Sequence, residues 1–184
     1  MNQEKVAQFI ELAGQAASDK FIVGSEAQRK LGAQLLLSEV LEYCIKGLGV
    51  IPEFRGTQLT DANGLQYKAV SEPSKLEMLD GLADTAYTMY WNAVTFGIPV
   101  EEAFDLVCDN NLEKFVHMPE WTEKTRALEK SEWHCGQSVT WPGEVDSVSV
   151  IESRGQYYAV GKDIHGKVRK PSSYQSVDLS RLAA

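Results

Sequence analysis

No stretch of this sequence combines apolar residues over the roughly 20 positions that a membrane-spanning helix requires. The opening MNQEKVAQFIELAG also lacks the apolar core of a signal peptide. A cytoplasmic protein that does not engage a membrane is therefore expected. Histidine is scarce: His117, His134 and His165 are scattered through a polar C-terminal third, and neither they nor the cysteines stand at zinc-ligand spacing. The three cysteines (Cys44, Cys108, Cys135) do not pair evenly, so free thiols in a reducing compartment are expected. Basic residues are outnumbered, 18 Lys and Arg against 26 Asp and Glu, for a net charge of −8. That balance argues against nucleic-acid partners and anionic membrane surfaces. A glycine-rich phosphate loop of the form GxxxxGK[ST] is absent, as is a nucleophile elbow. The Glu-x-x-His pairs of a ferritin-like di-iron site are missing too.

The chain is rich in long apolar helical patterns. Leu31–Lys46, LGAQLLLSEVLEYCIK, is apolar almost all the way round, which predicts a buried helix. It nonetheless carries Glu39 and Glu42, three residues apart and on one side of the rod. Buried carboxylates need a compensating charge, and Lys46 supplies one cation against two acids. A second apolar helix, SKLEMLDGLADTAYTMYWNAVTFG, carries Glu77, Asp80 and Asp84 on one face, opposite an expected core face of Leu79, Leu82, Ala83, Ala86, Tyr90 and Ala93. Two such acidic ladders suit an oxygen-ligated ion, Mg²⁺ or Mn²⁺. Glu77 has an alternative role, closing a capping box with Ser74.

Taken in order, residues 3–15 predict a short amphipathic helix, and Ser25 with Gln28 a capping box opening a helix over 26–46. Residues 48–73 form a long loop, either a lid over substrate or a mobile excursion, with a small hairpin at Asn63-Gly64. Pro99 begins a further helix with Val100, Phe104, Val107, Asn111 and Phe115 on its buried line. Asn111 is then a polar residue on an apolar stripe beside Lys114. It either bonds a neighbouring helix or, with Lys114, faces a phosphate. A weak helix near 120–131 follows, then strand-like residues 145–160 around an Arg154-Gly155 turn, which predict a β-hairpin. The fold class expected from these elements is all-α: one domain over 1–184, with a helical core (1–116), an insertion carrying the hairpin (117–160) and a tail (161–184).

Paired carboxylates opposite a helix bearing amide and ammonium groups resemble the all-α nucleotide pyrophosphohydrolases. The likeness is to the MazG and phosphoribosyl-ATP pyrophosphohydrolase branch, and above all to its small phage-type members. The first half of that family's Glu-x-x-Glu…Glu-x-x-Asp signature is matched by Ser38-Glu39-Val-Leu-Glu42. In the second half Asp84 matches the Asp, but Gly81 stands where the family has Glu, with Asp80 as the neighbouring substitute. A literal Glu-x-x-Asp also exists at Glu77–Asp80. The resemblance continues in Asp19-Lys20, Gly97-Ile-Pro-Val-Glu-Glu-Ala-Phe, Asn111-Leu-Glu-Lys114, and the tail Gly166-Lys-Val…Lys170-Pro171…Tyr174…Asp178-Leu179.

The resemblance implies a four- to five-helix core that assembles as a homo-oligomer, a dimer or a dimer of dimers. It implies hydrolysis of a nucleoside triphosphate to the monophosphate and pyrophosphate with Mg²⁺ or Mn²⁺, dGTP being the leading substrate. Glu39, Glu42, Asp80 and Asp84 are then the catalytic metal ligands, with Glu77 as a candidate fifth. Asn111, Lys114, Lys170 and Tyr174 bind the substrate. Two rival readings are a nucleotide-binding relative that has lost catalysis at Gly81, and a purely structural helical oligomer.

Overall fold

The computed structural model describes residues 2–15 and 17–183, and the chain divides into two units, residues 1–17 with 88–184 and residues 18–87. Among the described residues there are four α-helices: α1 (Asn2–Leu12), α2 (Glu26–Glu42), α3 (Lys75–Phe96) and α4 (Val100–Leu112). Six strands accompany them among the described residues: β1 (Glu53–Phe54), β2 (Thr57–Gln58), β3 (Val116–His117), β4 (Arg126–Ala127), β5 (Ser147–Ser153) and β6 (Gln156–Lys162). The expected all-α class is therefore corrected to a mixed α and β fold. Four of these strands are two residues long, but β5 and β6 run for seven each and organise the best-packed part of the chain.

In the first unit, β3, β6, β5 and β4 lie in that order in an antiparallel sheet. β5 and β6 are joined by Arg154-Gly155, both at positive φ (54° and 76°), the mirror-image turn whose twist matches a tight hairpin. One face of this hairpin buries Val148, Val150 and Ala159 with Val116, Leu128, Cys135, Val139 and Val145, and Trp121, Trp133 and Trp141 pack around them. A second cluster joins α1 and α4 to the sheet through Leu12, Ala13, Phe115 and Val160. The Phe9 and Phe115 rings meet edge to face at 5.3 Å. Lys5 on α1 reaches both Asp105 (2.7 Å) and Asp109 (2.6 Å) on α4. Most of the buried apolar side chains thus belong to the sheet and to the helices packed on it.

The expected helix near 120–131 does not form. Arg126 and Ala127 instead pair with Val150 and Ser149 of β5. The Arg126 guanidinium holds Glu123 and Glu132, and a single 3-10 turn (Lys130–Glu132) closes with Glu129 and Glu132 capping each other.

In the second unit, Ser25 and Gln28 form the expected reciprocal capping box. α2 ends as expected near Gly47, through a π-helical turn (Tyr43–Gly47). The hairpin of the long loop sits at Arg55-Gly56, again with both residues at positive φ, and not at Asn63-Gly64. Neither Asn63 nor Gly64 has the positive φ that such a turn demands; the Asp61 carboxylate accepts from the Asn63 amide (2.8 Å) and makes an Asx turn. That segment is pinned, with Ala62 buried, the Gln34 side chain donating to Asn63 (2.8 Å) and the Tyr67 hydroxyl donating to the Ala62 carbonyl (2.9 Å).

The expected burial of α2 and α3 is corrected as well. Along α2 only Leu41 is buried, and along α3 only Ala93. Leu79, Leu82 and Val94 are 60%, 64% and 83% exposed in the single chain. The spacing of the apolar residues correctly marked these faces as apolar. It carried no information on what covers them.

Candidate polyphosphate-binding site

α4 delivers its last turn to a basic surface of the first unit. Lys114 follows that turn and is half-buried; its ammonium donates to Asn111 Oδ1 at 2.6 Å and lies 5.4 Å from the centre of the Phe9 ring. Burial, and then the nearby charges of Lys170 and Lys167, pull its pKa below the ordinary lysine value. Among the described residues no carboxylate forms an ion pair with Lys114, Lys167 or Lys170.

The tail is tied to α4 by Asn110. This side chain, 9% exposed, accepts from the Tyr174 hydroxyl (2.6 Å) and donates to the Gln175 carbonyl (2.6 Å). Lys170 stacks over the Tyr174 ring at 4.5 Å. Of the four residues expected to bind substrate, Asn111 bonds Lys114, and Tyr174 bonds Asn110 of α4 while supporting Lys170. The buried asparagine of α4, however, is Asn110; its neighbour Asn111 is only partly buried. Helical spacing ranked these two adjacent amides the wrong way round, because the tail covers the Asn110 side of the helix.

The carboxylates belong to the second unit. Glu39, Glu42, Glu77, Asp80 and Asp84 are all exposed. Glu42 pairs with Lys46 at 2.9 Å, one turn along, and the Glu77 backbone amide donates to Ser74 Oγ at 3.4 Å, a weak cap. A cavity of about 220 Å³ opens beside Glu42, between Ser38 and Lys46 on one side and Thr60, Asp61 and Asn63 on the other. Among the described residues no three His, Cys, Asp or Glu side chains are grouped so as to hold a metal ion.

No family model matches the sequence, and no curated protein or solved structure matches the chain. Among the described residues no helix is long and apolar enough to cross a membrane.

Two residues at the basic surface escaped the sequence reading as site residues, Lys167 and Asp163. The signal available for them was local. An Asp four residues before a Lys, with Gly166 between, is a turn pattern that fixes where the lysine emerges.

Proposed function

We propose that this chain is a divalent-metal-dependent nucleoside triphosphate pyrophosphatase. It converts a (d)NTP and water to the (d)NMP and pyrophosphate, with a purine deoxynucleotide such as dGTP as substrate. The observation that carries this reading is the basic surface at the end of α4. In a protein of net charge −8, lysines gathered without a carboxylate partner select an anion of several charges.

Glu39 and Glu42 on α2, and Asp80 and Asp84 on α3, are the proposed ligands of Mg²⁺ or Mn²⁺. Exposed oxygen donors in pairs fit Mg²⁺, which commonly takes one or two carboxylates and completes its shell with water and substrate phosphate oxygens. Such an ion, when bound, neutralises phosphate charge and acidifies a water. The chain's own groups divide the remaining work. Lys114, Lys170 and Asn111 hold the phosphates, Tyr174 supports Lys170, and a carboxylate outside the ion's shell takes a proton from the attacking water. A second copy of the chain is proposed to cover the exposed apolar faces of α2 and α3 in a homo-oligomer.

A second reading, nucleotide binding without turnover, is favoured by Gly81 in place of a family Glu and by the engagement of Glu42 with Lys46. Nucleotide turnover by the wild-type chain separates the two readings, and Asp80→Asn tests whether Asp80 substitutes for the missing Glu. Asp80 is exposed, so the melting temperature should stay within about 1 °C of wild type, ~0.5 kcal/mol being usual for such a surface change. Turnover should be abolished and nucleotide binding retained. Unchanged turnover in the variant removes Asp80 from the metal site.

A further inference from the structure

The end of β6 turns back on itself in a short loop, after which Val168 bridges Lys162 in antiparallel fashion and the Arg169 amide donates to the Gly161 carbonyl (2.9 Å). Asp163 donates its backbone amide to the Lys167 carbonyl (3.1 Å), Gly166 returns a bond to the Asp163 carbonyl (2.9 Å), and Gly166 sits at φ +77°. The Asp163 side chain, in a residue only 8% exposed, occupies the middle of this loop. Its Oδ1 accepts from the backbone amides of His165 and Lys167, both at 2.9 Å. Its Oδ2 takes the Arg169 guanidinium at 3.0 and 2.7 Å. This carboxylate is fully engaged, so it fixes the loop without neutralising the lysines the loop carries.

Val168, between Lys167 and Arg169, packs on the cluster of Leu12, Ala13, Phe115 and Val160, which Phe9 also joins. Lys114 precedes Phe115 and lies over Phe9. The loop and the end of α4 therefore meet on one patch of core, and Lys170 is held nearby by Tyr174 on Asn110.

We infer that Lys114, Lys167 and Lys170 form one site for the terminal phosphates of a polyphosphate chain, and that Asp163 is the positioning residue that holds the loop lysines there. This rests on the polyanion reading above and adds to it a third cation and the device that orients it. Three ammonium groups match two adjacent phosphates better than one, so inorganic pyrophosphate is the smallest suitable ligand.

The test is calorimetric titration of the full chain with inorganic pyrophosphate and with orthophosphate, in the absence of divalent metal. Pyrophosphate is expected to bind at least tenfold more tightly than orthophosphate at matched ionic strength. Lys167→Met should weaken pyrophosphate about tenfold, and Asp163→Asn by a similar factor. The double variant should lose little more than either single one, because Asp163 acts through Lys167. A merely structural Asp163 would give losses that multiply. Gly166→Ala strains the same turn away from the core, since open space surrounds its missing side chain, and it should also weaken binding. This second variant keeps the test open if Asp163→Asn does not fold. Equal affinity for the two anions, multiplying losses, or wild-type affinity in the turn variants overturns the inference. No nucleotide and no metal enter the titration, so its failure is distinguishable from a failure of turnover.

Discussion

Tyr174 and Asn110 are joined by a 2.6 Å hydrogen bond that spans 64 positions of sequence. The same amide donates to the Gln175 carbonyl, so one asparagine side chain fastens two consecutive residues of the tail. Asn110→Ala leaves the Tyr174 hydroxyl and the Gln175 carbonyl without their partner. A loss of about 1–3 kcal/mol is expected for groups left unsatisfied in this way. Urea denaturation measures it, and faster proteolysis after residue 170 would show that the tail has come loose.

The Arg126–Glu132 pair gives a pH signature. The Arg126 guanidinium, and after it the Glu129 backbone amide, hold the Glu132 carboxyl down at about 2. The folded value lies below the ordinary one, so the stabilisation is fully present above the ordinary glutamate range. It is lost as pH falls through the folded value. The melting temperature of wild type minus that of Glu132→Gln should thus be constant from neutral pH to ~4.5 and shrink toward pH 2. The Asp163 carboxyl, lowered first by the Lys167 amide, has the same sign and persists in both proteins. The difference curve therefore isolates Glu132, and a flat difference down to pH 2 would contradict the assignment.

Gly161 on β6 lies against the Trp141 ring, where an added methyl group would meet Cζ3 at 2.6 Å. Trp141 has little freedom to retreat, because its indole N–H donates to the Trp133 carbonyl (2.9 Å). Gly161→Ala should therefore cost about 1–3 kcal/mol through overpacking. Thermal melts and the tryptophan emission maximum report it, and a wild-type melting temperature would mean that the ring moves freely.

Much of the helical framework was legible in the residues. The Ser25/Gln28 box, the stop near Gly47 and the Pro99 start all rest on local chemistry, and local chemistry is what a sequence displays. The Arg154-Gly155 hairpin was read correctly, whereas its twin at Arg55-Gly56 was missed in favour of Asn63-Gly64. Only two residues of ladder stand on each side of Arg55-Gly56, too few for an alternating pattern to stand out. The all-α expectation failed for a related reason. β3 and β4 are two residues long and exist only because β5 and β6 pair with them, a non-local effect that propensity does not carry. At the basic surface, the motif pointed to Lys114, Lys170 and Tyr174. It gave no hint that Asn110 rather than Asn111 is the buried amide, since that depends on where the tail returns. The acids of α2 and α3 were read as buried because their helices are apolar, and both helices prove exposed in the single chain.

The most direct measurement of the central proposal is a panel of the eight common NTPs and dNTPs, incubated with Mg²⁺ or Mn²⁺, with monophosphate, diphosphate, pyrophosphate and phosphate resolved. Monophosphate and pyrophosphate in equal amounts from a purine nucleotide, dGTP foremost, is the expected result. Release of diphosphate and phosphate would place the cleaved bond elsewhere. No turnover of any nucleotide with either metal, alongside a raised melting temperature with one of them, would contradict catalysis and leave a binding protein.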